Sequence, residues 1–391
     1  MLNIGWVDFS GSDRDVVLSV LRQLTEPGAM DELGIGTIRN AFSDILFPGT
    51  STIQTRAKYL FLIPYICLEL ERGTKLSPVK FIEALEQREI DLISVLNVNG
   101  ADGVIGSRSQ QTLKRKPSSI YWNALRIYGI FTEPLTIAEY AALIYSGHDA
   151  ADLRKLSGRC KATEEDAGDD DDIGLTGVSF WRIPAPIEEW QTKSTIALTK
   201  TEAVFLREKI ISAPKTRDSL LALILRENRR DFVEFALLED VETLRDLMPQ
   251  DMWNDFCLAR DFSRFVHGAQ LRYNVIYSEG QNEDAVALWQ QYIEERPKVS
   301  LDGITSRVKP HSSVIRFLRR FAASLDDTAA LDELIISREK ELKSPSRSKL
   351  TNKELYRYDG NLRINMDSLT FRLFYAQRLI RDIFEGVDSN A

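Results

Sequence analysis

FPGTSTIQTRAKYLFLIPYI, residues 47–66, decides how the first half of this chain is read. Pro48-Gly49 marks a turn, and Thr50 or Ser51 can cap a helix that starts near Thr52 and runs toward Arg72. The first two turns of that helix would carry Thr52, Gln54, Thr55, Arg56 and Lys58. From Tyr59 onward nearly every residue is apolar around the full circumference, which is the mark of a buried helix. Pro64 interrupts it and removes one backbone donor. The stretch therefore opens like the second helix of a helix-turn-helix and ends like a core element.

A recognition helix places polar and basic side chains at its N-terminal end, where they meet base edges. No acid lies between Asp44 and Glu69. Gln54, Thr55, Arg56 and Lys58 are thus candidate base contacts. The competing reading is a core helix with a wet end.

Working outward, MDELGIGTIRNAFSDILF reads as a helix weakened by Gly34 and Gly36, and SDRDVVLSVLRQL as another with Ser12 as its cap. The leading NIGWVDFS alternates enough to be a short strand or an extended arm. SPVKFIEALEQREIDLISVLN has Ser77 as cap and Pro78 at the first helical position. NGADGVIGSRSQQTLKRK is a glycine-punctuated loop. Ser118 or Ser119 can cap SIYWNALRIYGIF. Residues 161–177, KATEEDAGDDDDIGLTG, hold seven acids and almost nothing apolar, which suits a solvated linker. The remainder carries apolar residues at three- and four-residue steps through to DSLTFRLFYAQRLIRDIFEG. These patterns predict a mainly α, multi-helical, two-domain protein. Residues 1–160 would form a helical or winged-helix-like domain with few short strands, residues 161–177 an acidic linker or loop, and residues 178–391 a helical domain.

The chain has 391 residues, net charge −8, 43% hydrophobic and 28% charged residues, enough to bury a sizeable core. That balance argues against a protein coated in nucleic acid but leaves room for local basic patches. Three cysteines far apart, and His148, His267 and His311 as the whole histidine complement, leave little for a metal site. No HExxH, GxSxG or phosphate-loop pattern occurs. The reading therefore includes no cofactor and no metal. The start of the chain lacks a basic region followed by an apolar run, and the longest apolar stretch is about half of a membrane span. The expectation is a soluble cytoplasmic protein with no membrane partner.

Two further segments concentrate positive charge without acids. Residues 103–131 carry Arg108, Lys114, Arg115, Lys116 and Arg126, a basic loop leading into a helix N-terminus that suits a phosphate backbone. Residues 304–325 carry Arg307, Lys309, Arg316, Arg319 and Arg320, the last three on one helix face. Each could instead be a solvated surface, or be neutralised by the acidic run of the same chain. ARDFSRFVHGAQ places Arg260 and His267 seven apart on a helix. This resembles the Arg-x(4–6)-His motif of HEPN ribonucleases, in which histidine would serve as general acid or base and arginine would stabilise phosphate charge. The alternative is a hydrogen-bonded histidine at a helix contact.

IGWVDFS (4–10), DELGIGTIRNAFSDILFPGTSTIQTRAKYLFLIPYI (31–66), GVIG (103–106), PSSIYWNALRIYGI (117–130), ARDFSRFVHGAQLRYN (259–274), SREKELK and RLIRDIFEG span the chain in order. Together they resemble a bacterial family of unknown function. The resemblance implies a gene neighbourhood of helicases and phospholipase-D-like nucleases in clusters that look like anti-phage defence systems. It carries over no catalytic residue. Taken together, the sequence points to a non-enzymatic nucleic-acid-binding subunit of a defence complex, DNA ahead of RNA, acting with a helicase or nuclease partner. A protein–protein scaffold and a HEPN-like ribonuclease are the alternatives. The oligomeric state stays open.

Overall fold

The computed structural model describes residues 31–98, 101–147, 179–343, 345–360 and 363–389. In chain order its helices are α1 (Gly36–Leu46), α2 (Tyr59–Arg72), α3 (Pro78–Leu96), α4 (Pro117–Ile127), α5 (Ile137–Ser146), α6 (Trp190–Lys193), α7 (Lys200–Ser212), α8 (Leu220–Arg226), α9 (Gln250–Tyr277), α10 (Glu283–Glu295), α11 (Leu301–Val308), α12 (Ser312–Ala323), α13 (Thr328–Leu342) and α14 (Leu373–Asp388), with short 3-10 turns between some of them. The mainly α, multi-helical reading holds. Among the described residues there is no strand pair that could make a wing; an isolated antiparallel bridge joins Phe131 to Trp181. The predicted N-terminal strand, the helix after Ser12 and the acidic segment 161–177 lie outside the described residues. Among the described residues, no helix is long and apolar enough to cross a membrane.

The chain divides into two compact units, each assembled from segments distant in sequence. One comprises Met1–Phe42 and Cys257–Leu369, the other Ser43–Phe256 and Thr370–Ala391.

In the larger unit α2 is the central element. Every residue from Tyr59 to Cys67 is buried, as an all-apolar circumference requires. Around it pack α3 and α4, while α7 packs on α14 and α8. The aromatic rings of Trp122, Phe131, Tyr140 and Trp181 close together at centroid distances of 4.7–5.7 Å. Two helices start on a reciprocal capping box: Thr136 with Glu139 at α5, and Thr199 with Glu202 at α7. Gly49 sits at φ +81°, and a Cβ there would come within 2.5 Å of the Tyr128 ring, so the turn needs glycine twice over.

The smaller unit is organised by α9 and by a buried carboxylate. Glu339 of α13 is fully buried. It accepts hydrogen bonds from Tyr273 Oη (2.6 Å), Ser348 Oγ (2.8 Å) and the amides of Lys349 and Leu350 (3.0 and 2.9 Å), and pairs with Lys343. Glu32 pairs with the same Lys343 and with Lys349. Buried charges persist only when paired and hydrogen-bonded this fully. The segment SREKELK is thus a structural hub, and it ties the turn after α13 to the helix.

Candidate nucleic-acid interface

The segment 47–58 is not the start of a recognition helix. Helix α2 begins at Tyr59, seven residues later than the pattern predicted. The physical reason is that the preceding amides are committed to other elements. Tyr121 Oη accepts hydrogen bonds from the amides of Thr55 (2.8 Å) and Arg56 (3.0 Å) and donates to the Arg56 carbonyl (2.9 Å). The amide of Ala57 donates to Asp382 of α14 at 2.7 Å. The Gln54 side chain bridges the Gly49 carbonyl and the Ser51 amide. Arg372 anchors the turn by donating to the Thr50 carbonyl at 2.8 Å. A chain held at so many points cannot also form the i to i−4 ladder.

The side chains proposed for base contact follow the same logic. Arg56 is paired with Asp382 through Nε at 2.8 Å and donates to the Asp102 carbonyl. Burial pushes the Asp382 carboxyl up, against the pull of the Ala57 amide and of Arg56. Lys58 is 2% exposed and lies 2.7 Å from Glu202, whose own side chain is 6% exposed. Its ammonium cannot reach a base edge without breaking a buried pair. Gln54 and Thr55 are half-buried, and the Gln54 side chain is spent on the turn itself.

The basic loop fares differently. Arg108 and Lys114 are exposed, Arg115 and Lys116 half-buried. Arg108, Lys114 and Arg115 make no ion pair among the described residues. Lys116 Nζ donates to the Leu113 carbonyl at 2.6 Å, and Arg126 is half-buried with partners of its own. Helix α4 starts at Pro117 with Lys116 in the capping position, so neither Ser118 nor Ser119 caps it. Its N-terminus is not open to a phosphate. The Glu89 carboxylate of α3 takes the Ser118 amide and, at 3.0 Å, its hydroxyl. Glu89 is 4% exposed, and burial pushes its carboxyl up to about 8 despite these bonds. An internal acid therefore stands where an external anion was expected.

In the smaller unit, α12 presents Arg316, Arg319 and Arg320 on its exposed face, above a buried face of Val314, Phe317, Leu318 and Phe321. Arg319 pairs with Asp302 at 2.7 Å, both side chains largely in solvent. Arg316 and Arg320 have no ion pair among the described residues. Arg307, Lys309 and His311, on α11 and the turn before α12, are exposed as well.

Arg260 and His267 have separate partners. Arg260 donates to Asp261 at 2.8 and 2.9 Å. His267 Nε2 lies 2.8 Å from the Met366 carbonyl, which makes this nitrogen the protonated donor. Beside it, a Cβ on Gly268 would fall 2.1 Å from the Tyr292 ring, so the helix face is closely packed. His267 belongs to a polar row on α9: Ser263, His267, Gln270 and Asn274, spaced by four, three and four residues. Ser263 donates to the Leu369 carbonyl (3.1 Å), and Asn274 pairs both ways with the Ile364 backbone (2.7 and 2.9 Å). The row straps segment 364–369 along the helix. The helical spacing was visible in ARDFSRFVHGAQLRYN; the carbonyls that it serves, a hundred residues away, were not.

A family model described as a family of unknown function (DUF6361) matches residues 1–287. No curated protein matches the chain, and no solved structure does.

Proposed function

We propose that this chain, which belongs to the family of unknown function DUF6361, binds nucleic acid through exposed cationic surfaces and not through the 47–58 segment. The observation that carries the reading is the contrast in partners. Arg56 and Lys58 are neutralised inside, whereas Arg316 and Arg320 on α12, and Arg108, Lys114 and the half-buried Arg115 in the loop before α4, have no acid partner among the described residues. In a chain of net charge −8, such unpaired sets are candidate contacts for phosphates. Each surface offers charge and, among the described residues, no base-reading helix, so the binding it supports is insensitive to sequence. A helicase or nuclease partner, and a role in defence, draw their support from the gene neighbourhood that the family resemblance implies.

Fluorescence anisotropy against labelled duplex DNA, single-stranded DNA and RNA over a salt series tests this. Affinity should fall linearly on a log–log plot, by about 0.9 per phosphate contact on duplex DNA. Absence of binding at low salt would transfer the reading to a protein–protein scaffold, for which exposed Val79, Leu237 and Leu355 supply apolar surface.

A further inference from the structure

Three members of the polar row on α9 hold the strap 364–369, and the fourth does not. Gln270 lies between His267 and Asn274 on the same helix face. It is 7% exposed, and its carboxamide oxygen is buried with no hydrogen-bond partner. Buried carboxamides are rarely left this way, because desolvation without a bond costs about 1–3 kcal/mol. Opposite it the strap passes through Asn365 at φ +49°, a left-handed residue between the two held ends, Ile364 and Met366. At this level the unit has a pocket of about 150 Å³ that is partly open to solvent. Leu33, Ile35, Ile364 and Leu369, all buried, supply apolar lining, and Gln270 and Asp367 supply polar lining.

The size and the chemistry select a class of ligand. Drug-sized ligands need roughly 300–1,000 Å³, while about 150 Å³ takes a single small ring system. Asp31, which also lines the cavity, is committed to the amides of Ile35 and Gly36, and Glu32 to Lys343 and Lys349. Arg39 and Asn365 have partners of their own, and Tyr273 donates to Glu339. Gln270 and Asp367 remain, the latter exposed and without a partner among the described residues. A carboxylate accepts from amino and ring N–H groups, and a carboxamide donates and accepts on one edge. The lining holds three carboxylates against one cation, Arg39, which is half-buried and already has partners, so its balance is negative and disfavours a phosphate inside.

We infer that this cavity binds one amino-bearing nucleobase, with Asp367 accepting from its N–H groups and Gln270 bonding its polar edge between aliphatic walls. Sugar and phosphate stay outside. The choice of a nucleobase among amino-bearing heterocycles rests on the strand-binding reading above. Paired adjacent donors make guanine the best match for a carboxylate. Because binding is non-covalent, no further reactant is involved.

The test is ligand-observed saturation-transfer NMR on the whole chain with guanosine, adenosine, cytidine, uridine and thymidine. Guanosine should give the strongest transfer, and uridine and thymidine little. Asp367→Asn, at an exposed position, should weaken guanosine about tenfold, and Gln270→Leu by a similar factor with the melting temperature maintained or raised. Equal transfer from all five nucleosides, no transfer from any, or guanosine binding unmoved by both substitutions would overturn the inference. Arg316→Ala with Arg320→Ala separates the two readings: it should weaken strand binding and leave nucleoside binding intact. A wild type that binds nucleoside but no strand would count against the surface reading, and one that binds strand but no nucleoside against the cavity.

Discussion

Two basic segments of this chain look alike on paper and end in opposite places. In TSTIQTRAK, Arg56 and Lys58 are drawn inward onto Asp382 and Glu202. In SSVIRFLRRF, Arg316 and Arg320 ride on the outer face of an amphipathic helix. Both stretches lack acids. What separates them is the pattern of apolar neighbours. The arginines of α12 alternate with Val314, Phe317, Leu318 and Phe321 at helical steps, so one face must be wet. Arg56 and Lys58 sit just before a helix that is apolar all round, and have no wet face to occupy. A cation next to a fully buried element is therefore better read as half of an internal pair.

The contrast can be broken or sharpened by substitution. The largest effect is expected at Lys58. Its replacement by alanine strands Glu202 in the interior and should cost about 3–5 kcal/mol in chemical denaturation. A loss under about 1 kcal/mol would mean that the pair is open to solvent, contrary to its 2% and 6% exposures.

Next comes Glu89, whose raised value has a definite sign. The folded protein keeps a proton that the unfolded chain releases between the ordinary value of 4.5 and about 8. Stability from this group is complete below the lower value and is lost as pH rises through the upper one. Glu89→Gln should flatten the decline between pH 5 and 8, which is on the order of 4 kcal/mol. A wild-type protein whose stability is level over that window would contradict the assignment.

A smaller loss, about 1–3 kcal/mol, is expected for Gly49→Ala, since φ +81° and the Tyr128 ring both oppose a Cβ. The smallest belongs to the exposed set: Arg316→Ala with Arg320→Ala should change stability by no more than about 0.5 kcal/mol in thermal unfolding.

Much of the fold was legible. The helical periods of α3, α7, α9, α12 and α14, and the burial of α2, follow from apolar spacing that is local in sequence. The start of α2 was not legible, because it is set by Tyr121 and by Asp382, more than three hundred residues downstream. The predicted phosphate site at the start of α4 went the same way, its donor taken by Glu89 from another helix. His267 is a hydrogen-bonded histidine on a helix, the alternative set beside the ribonuclease-like motif. Its purpose lies in the carbonyls of segment 364–369, which no local pattern announces. Local periodicity predicts where a side chain's face points; the partner it meets there is a tertiary fact.

The most direct measurement is the salt dependence of duplex-DNA binding by the wild type, by Arg316→Ala/Arg320→Ala and by Lys114→Ala/Arg115→Ala. Each double variant should reduce the log–log slope by up to about 1.8 while its fold stays intact. Binding that is absent at low salt, or a slope that neither variant changes, would contradict the account.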